Sequence, residues 1–402
     1  MSADADKRGP TPASLTQTSP TGTSLTHTSL TPTLPGRSYT DPEVFHEEQR
    51  RIFEVEWVYI GRADAVPKRG DVLRADVGTE SVIVARGRDG ELRGFLNVCR
   101  HRGARLCDSD TANVGNFIRC PYHSWSYGLD GALRAAPNWK AMTELDRARY
   151  SLAPVAVEVW MGLIWVNLDP DAAALGDQLE PILRYRLGEE FRRIERYQIG
   201  ELAVAARIDY DVAANWKIIQ ENFQECYHCR TIHPELVKQI PTFANFEALA
   251  ASGYQQGGYD FAEGREGFSL SGQAHFDALP SLVADDNRKY FGMVLRPNCF
   301  VSLLPDHVIV HRFQPQGPDR TTVVCEWLFS PEQMAAEGFD PSDSVELFHR
   351  VNQQDFAAAE WCQPNMSSRL YRDGGVLVPI ESEVIGGWYY GWYRERMGLA
   401  PG

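Results

Sequence analysis

Cys99-Arg100-His101-Arg102-Gly103-Ala104-Arg105-Leu106-Cys107, followed by Cys120-Pro121-Tyr122-His123-Ser124-Trp125-Ser126-Tyr127, is the stretch from which the rest of the chain can be read. Each segment sets a cysteine beside a histidine at short spacing, so two thiolates and two imidazoles can converge from two loops. That donor set permits two irons bridged by sulfide, with the thiolates on one iron and the neutral imidazoles on the other. Such a centre is easier to reduce than an all-thiolate one, at about −150 to +300 mV against about −400 mV. The bland alternative is a zinc site using the same donors in a tetrahedron. Against zinc, neither pair has the helical His-x₃₋₅-His spacing of a finger, and both mix cysteine with histidine. Cys107 reads as a small buried apolar residue rather than a ligand. Arg100, Arg102, Arg105 and Arg119 crowd the same loops. They read either as a patch for an acidic electron donor or as solvated loop charges.

Around these loops, short alternating runs at Val72 to Val77, Ser81 to Arg86, Leu92 to Val98 and Gly162 to Leu168 predict a small all-β domain. Before it, Phe45, Ile52, Phe53 and Trp57 fall at helical spacing behind Asp41-Pro42-Glu43-Val44, a capped start. After it, helical composition returns from Ala213 to Thr231. Three strand-like runs follow between Tyr290 and Ser330. Asp343-x-x-Glu346 then opens a long helix that runs to about Cys362 and is stopped by Pro364. An antiparallel sheet with long helices makes the class α+β.

A second constellation lies in Asn215 to Pro234. Glu225 and His228 are three apart and share a helical face, whereas His228 and His233 would stand about 140° apart on an ideal helix. Pro234 disfavours helical geometry at His233, which lets that imidazole swing back toward His228. A third ligand must come from elsewhere. Asp355, on the later long helix, is the candidate, with Glu360 its rival. Two histidines and one carboxylate leave open positions for dioxygen, as in non-haem Fe(II) oxygenases. Cys226 and Cys229 form a C-x-x-C and read as packing residues.

With both constellations in view, the chain resembles the large (alpha) subunits of Rieske-type non-haem iron oxygenases from about Tyr39 to Met397. The resemblance rests on CRHRGARLC, CPYHSWSY and the Glu225-Cys226-Tyr227-His228-Cys229 segment. It implies an all-β Rieske cluster domain inserted in a helix-grip catalytic domain. The expected division is a disordered Ser/Thr/Pro-rich tail over 1–37, an N-terminal helix of the catalytic domain over 38–56, a Rieske [2Fe-2S] domain over 57–169 and a catalytic domain over 170–402. The [2Fe-2S] cluster falls on Cys99, His101, Cys120 and His123, and a mononuclear Fe(II) on His228, His233 and Asp355. Glu225 corresponds to the residue that links the cluster histidine of one subunit to the iron-ligating histidine of its neighbour, in a homotrimer. Electrons arrive ultimately from NAD(P)H, through a flavin/iron–sulfur reductase or ferredoxin.

Most aromatic-ring members carry Asp at the bridging position. Glu225, together with the Val324 to Phe329 run, resembles the branch acting on quaternary ammonium compounds such as glycine betaine and carnitine. The preferred expectation is therefore monooxygenation or N-demethylation of such a compound. An aromatic-ring hydroxylating dioxygenase is the alternative. A plain Rieske electron carrier is a third reading, but it would not need His228, His233 and Asp355. A cationic substrate calls for aromatic rings or carboxylates in the pocket. His307, Ile309, His311 and Phe313 share one strand face, and Trp388, Tyr389, Tyr390, Trp392 and Tyr393 crowd the C-terminal helix. Packing is the simpler reading of both groups.

The bulk numbers agree with a globular enzyme. The 402 residues are 43% apolar, and 40 basic against 54 acidic residues leave a net charge of −14, which disfavours nucleic acid and anionic membranes. Eight cysteines are too few for a disulfide scaffold and point to a reducing, cytoplasmic setting. Charges, glycine and proline interrupt every apolar run, so no membrane span is expected.

Overall fold

The computed structural model describes residues 30–141, 144, 146–245, 257–378 and 381–400, with the backbone alone for 381–387. Most of the tail expected over 1–37 lies outside these residues. Its end departs from the expectation, because β1 (Thr31–Pro32) pairs antiparallel with β18 (Val376–Leu377), and Leu34 is fully buried. The apolar Leu34, which the polar repeat around it masks in sequence, fixes the chain there.

The Asp41 carboxylate accepts from the Glu43 amide and starts α1 (Pro42–Glu48), as its Asp-Pro pair predicts. The helix continues only as a π turn to Phe53. Trp57 lies beyond it, directly before a strand, with its indole N–H donating to the Ala173 carbonyl, so it does not close the helix.

Seven strands then form one antiparallel sheet. These are β2 (Val58–Arg62), β3 (Asp71–Val77), β4 (Glu80–Arg86), β5 (Leu92–Leu96), β6 (Thr111–Asn113), β10 (Pro154–Trp160) and β11 (Leu163–Asn167), in the order β2-β11-β10-β5-β4-β3-β6. A three-stranded sheet of β7 (Phe117–Arg119), β8 (Ser126–Gly128) and β9 (Leu133–Ala135) packs with it. Strand alternation divides the apolar residues. On β4, Val82 and Val84 enter one core, and Ile83 and Ala85 enter a smaller one with Phe95, Cys99, Cys120, Trp125 and Tyr127. That small core backs the cysteine and histidine loops.

The second sheet runs β12 (Ala203–Val212), β17 (Arg320–Phe329), β16 (Val308–Gly317), β15 (Cys299–Leu303), β14 (Lys289–Leu295) and β13 (Tyr259–Asp260), again antiparallel. On one face, α2 (Leu175–Leu187) covers Phe291, Met293 and Leu295 with Leu179, Ile182 and Leu183. On the other, Ile309 and Phe313 share a core with Trp216, Leu347, Phe356 and the strand residues Val58, Val82 and Ile164. One continuous apolar core thus joins the two sheets. His311 lies fully buried on this face, so the His307 to Phe313 stripe serves packing, as expected.

The helical stretch expected over Ala213 to Thr231 is broken. The helix α3 (Trp216–Asn222) ends, a turn carries Phe223 to His228, and α4 (Cys229–Ile232) and α5 (Pro234–Gln239) follow. After α6 (Pro331–Ala335) comes the long α7 (Ser342–Cys362). Its expected Asp343/Glu346 capping box does not form. Asp340 accepts from the Ser342 amide, while Asp343 holds Ser271 and His275 of a neighbouring loop. The chain closes with α8 (Glu381–Met397), whose Tyr389, Tyr390 and Tyr393 are buried. Among the described residues no helix is long and apolar enough to cross a membrane.

A buried ion pair ties α1, α3 and α8 together. The Glu48 carboxylate accepts from Lys217 Nζ at 2.7 Å, from the Trp216 indole at 2.9 Å and from the Tyr393 hydroxyl at 2.6 Å. Lys217 Nζ also donates to Asn215 Oδ1 at 2.8 Å. Burial pulls the Lys217 pKa down, and Glu48 offsets only part of that. Lys217→Met strands a buried carboxylate and is expected to cost about 3–5 kcal/mol. The shift of the denaturation midpoint measures this, and adding Glu48→Gln should recover part of the loss.

His311 supplies a pH dependence. Burial lowers its pKa to about 4, while its Nε2–H donates to Asn352 Oδ1 at 3.1 Å. The unfolded chain takes up this proton near pH 6.5, before the folded one does. The stability contributed is therefore full above about pH 6.5 and falls away toward pH 4, by roughly 3 kcal/mol. His311→Gln should flatten that part of the stability curve, measured by denaturant titration across the range.

Candidate active site and cluster loops

The two cysteine–histidine loops are copies of one turn. Gly103 N–H donates to the Cys99 carbonyl and Ser124 N–H to the Cys120 carbonyl, each at 3.0 Å and each four residues on. Both closing residues take positive φ, +71° at Gly103 and +59° at Ser124. A glycine meets that demand without strain, and Ser124 bears it in the second loop. Cys99 and Cys120 are buried and close to each other. The His101 and His123 rings lie 4.6 Å apart at the outer rim, with His101 stacked on Trp125. His123 Nδ1 is a buried nitrogen without a hydrogen-bond partner. Two inner sulfurs, two outer imidazoles and an orphaned ring nitrogen fit a [2Fe-2S] cluster.

Tyr127 and Asn97 brace these loops, and neither role stands out in the sequence. The Arg100 amide donates to the Tyr127 hydroxyl at 3.0 Å, which leaves the hydroxyl proton for Cys99 Sγ at 3.3 Å. Asn97 Nδ2 donates to the Cys107 carbonyl at 2.7 Å, and Asn97 Oδ1 accepts from the Leu106 and Cys107 amides. Cys107 packs in the small core, as expected. Arg100, Arg102, Arg105 and Arg119 all stand exposed around the loops.

The second constellation converges in spite of the helix break. Glu225 caps the turn itself, its Oε2 accepting from the Tyr227 and His228 amides, while Oε1 accepts from His228 Nδ1–H. His233 sits between α4 and α5 at φ −117°, ψ 61°, a non-helical junction of the kind Pro234 demands. Asp355 arrives from α7. Its Oδ1 lies 2.8 Å from His233 Nε2 and 3.3 Å from His228 Nε2. Donors held at about 2.1 Å from one first-row ion stand roughly this far apart.

The other ring nitrogens are engaged, His228 Nδ1 by Glu225 and His233 Nδ1 by Gln354 Oε1 at 2.7 Å, so both Nε2 atoms face the common point. Burial would raise the Asp355 pKa, but the two histidines hold it well below the usual carboxylate range. Burial would lower the His228 pKa, but Asp355 and Glu225 raise it.

Cys229 Sγ also lies near, 3.8 Å from His228 Nε2, so a His, His, Cys set is a geometric rival. Burial pushes that thiol up, which keeps it protonated, and Asp355 is both closer and ionised. Glu360, the rival carboxylate, turns away and accepts from the Ala213 amide. Gln354 escaped the sequence reading although it directly precedes Asp355. An acceptor beside each candidate ligand is the signal that finds it.

A pocket opens on this point. Phe223, Phe243, Tyr259, Tyr290, Phe300 and Phe348 wall it, with Glu225 and Asp355 at the histidine end. The aromatic residues of α8 are not among its lining.

Residues 199–399 match the family described as ring hydroxylating alpha subunit (catalytic domain), and residues 56–150 match the Rieske [2Fe-2S] domain. The glycine betaine monooxygenase oxygenase subunit of Chromohalobacter salexigens is 30% identical over 393 residues, covering 91% of this chain and 86% of that protein. The carnitine monooxygenase oxygenase subunit of Escherichia coli K12 is 29% identical, covering 87% and 88%. The quaternary ammonium Rieske monooxygenase CntA, in its crystal structure with gamma-butyrobetaine, superposes with a TM-score of 0.71 at 25% identity, covering 92% of this chain and 96% of that one. Naphthalene 1,2-dioxygenase from Rhodococcus sp. shares the fold, with a TM-score of 0.72 at 22% identity over 91% and 94%.

Asn97→Ala removes the clasp on the first loop and leaves two buried amides without acceptors. It should cost about 2–4 kcal/mol. Thermal bleaching of the visible cluster absorbance at a lower temperature than in the wild type is the readout.

Proposed function

The chain belongs to the family of Rieske-type ring-hydroxylating oxygenase alpha subunits, and on that premise we propose that it oxidises an N-methyl group of a quaternary ammonium compound. As the oxygenase component it is an oxidoreductase with a [2Fe-2S] cluster and a mononuclear iron, fed from NAD(P)H through a separate reductase. The observation that carries the proposal is the convergence of His228, His233 and Asp355 at the acidic end of an aromatic pocket. Aromatic faces and nearby carboxylates attract a desolvated cation. Relatives matched over most of the chain are glycine betaine and carnitine monooxygenase subunits.

In this reading Cys99, His101, Cys120 and His123 hold the cluster, and His228, His233 and Asp355 hold the iron. When bound, the two centres supply stored electrons and reductive activation of dioxygen. The chain does the rest. Glu225 and Gln354 keep both imidazoles in the ligating tautomer, and the ring walls keep water from the substrate. Two electrons, two protons and O₂ place one oxygen on the N-methyl carbon and the other in water. The hydroxymethyl ammonium product then loses its hydroxyl proton and its C–N bond breaks, giving formaldehyde and the tertiary amine.

The exposed rim of His101 and the partly exposed Glu225 carboxylate suit electron passage to a neighbouring copy, hence a homotrimer with Glu225 as the bridge. The division at 57–169 and 170–402, an acidic donor docking on the loop arginines and a cytoplasmic setting complete the proposal.

Oxygen uptake with a reconstituted reductase tests it. Glycine betaine or carnitine should stimulate uptake and release formaldehyde, whereas stimulation by simple aromatic acids alone would favour the ring-dioxygenase reading. Asp355→Ala should abolish turnover and lose the mononuclear iron while keeping acid-labile sulfide, measured by metal and sulfide analysis. Iron retained at wild-type stoichiometry would refute the ligand assignment.

A further inference from the structure

Cys226 and Cys229 are more than two core thiols that happen to lie three apart. The Cys229 amide donates to the Cys226 carbonyl at 3.3 Å, so the pair closes one tight turn. The Cα atoms at the two ends of such a turn stand under about 7 Å apart, and a disulfide spans about 4.4–6.8 Å between Cα atoms. Both thiols are free and buried, and both line the catalytic pocket. Cys229 Sγ lies 3.8 Å from His228 Nε2, the ligating nitrogen. The turn that a disulfide would lock is the one that carries His228.

Burial raises the Cys229 thiol pKa, and Cys226, Glu225 and Asp355 raise it further. A thiol kept protonated and away from solvent is inert to oxidants in bulk water. The pocket itself, however, is where an oxygenase reduces oxygen. When electrons arrive with no organic substrate in place, two electrons and two protons convert O₂ to hydrogen peroxide. That oxidant is then formed in the space the two thiols line.

We propose that Cys226 and Cys229 are an oxidisable dithiol that consumes hydrogen peroxide formed in the empty pocket and, as a disulfide, shuts the site until it is reduced. The inference rests on the oxygenase family and not on which substrate the pocket takes. The Cys226 sulfur, the less deeply buried of the two, attacks peroxide. An S–O bond forms, the O–O bond breaks, and the departing hydroxide leaves as water with the thiol proton. The Cys229 sulfur then attacks the sulfenic acid, the S–S bond forms, the S–O bond breaks, and a second water leaves. Two thiols are oxidised and one peroxide is reduced to two waters. The bridge encloses Tyr227 and His228, so closing it draws the His228 imidazole off its line with Asp355 and releases the iron. An external dithiol reverses the bond by exchange.

The test supplies the holoenzyme with a reconstituted reductase, NAD(P)H and oxygen but no organic substrate, with catalase present to clear peroxide from bulk solvent. Thiols are then alkylated in denaturant and the peptides weighed. The peptide carrying Cys226 and Cys229 should escape alkylation and weigh two hydrogens less, while the exposed Cys362 is alkylated in full. Mononuclear iron should be lost in step with that mass change, and dithiothreitol followed by Fe(II) should restore both. Cys226→Ser should lose its iron several-fold more slowly than wild type under the same electron flow. The wild-type peptide masses decide the matter even where the serine variant fails to fold. Both cysteines still alkylated after many electrons have passed per enzyme overturns the inference. So does a disulfide that forms when peroxide is added from outside but not in substrate-free turnover under catalase.

Discussion

An imidazole can present a lone pair from one nitrogen only when the other carries the proton, and the catalytic end of this protein is organised by that constraint. Glu225 and Gln354 each accept a hydrogen bond from an Nδ1–H, which turns His228 Nε2 and His233 Nε2 onto the same oxygen of Asp355. The two acceptors come from different elements, one from the turn after α3 and one from α7. The site exists only where those elements are held in register. Glu225 serves twice, since the carboxylate that orients His228 also caps the turn that carries it.

What holds the register is a core shared between the two sheets and a charged knot at its edge. Glu48 and Lys217 are both fully buried, an arrangement that contributes little net stability when complete and costs heavily when half is missing. Its partners Trp216, Tyr393 and Asn215 satisfy the remaining valences. Lys217 is the second residue of α3, the helix that delivers the Glu225 turn, so an error in the knot is felt at the histidines. The small core behind Cys99 and Cys120 works differently. There the backbone is pinned by Asn97 and Tyr127, and the metal-facing loops need only a shallow wall of apolar side chains.

Much of this was legible before the fold was known, for physical reasons that differ by element. Cys99, His101, Cys120 and His123 announce themselves because donor type and spacing are the chemistry. Strand alternation over Val72 to Val77 and Ser81 to Arg86 reports faces directly, and β3 and β4 follow it. The stretch around His228 misleads. Its composition is helical, but Glu225 captures the following amides and stops the helix, a side-chain effect that composition does not register. Asp343 likewise looks like half of a capping box and is instead spent on Ser271 and His275. Gln354 went unread for a different reason. It stands beside Asp355 in the chain, but it matters through His233, 121 residues away.

The meeting of α1 with α8 has a temporal side. Glu48 finds its last partner, Tyr393, only 345 positions later, and β1 must wait for β18. A ribosome emitting this chain from its first residue releases the seven-stranded sheet complete long before either meeting can occur. The inserted unit can assemble early on its own core. The surrounding domain, although its first pieces emerge earlier, can close only after the stretch from Val376 to Tyr393 has been made. Any pause before that stretch emerges therefore leaves a finished electron-carrying unit tethered to an unfinished catalytic one.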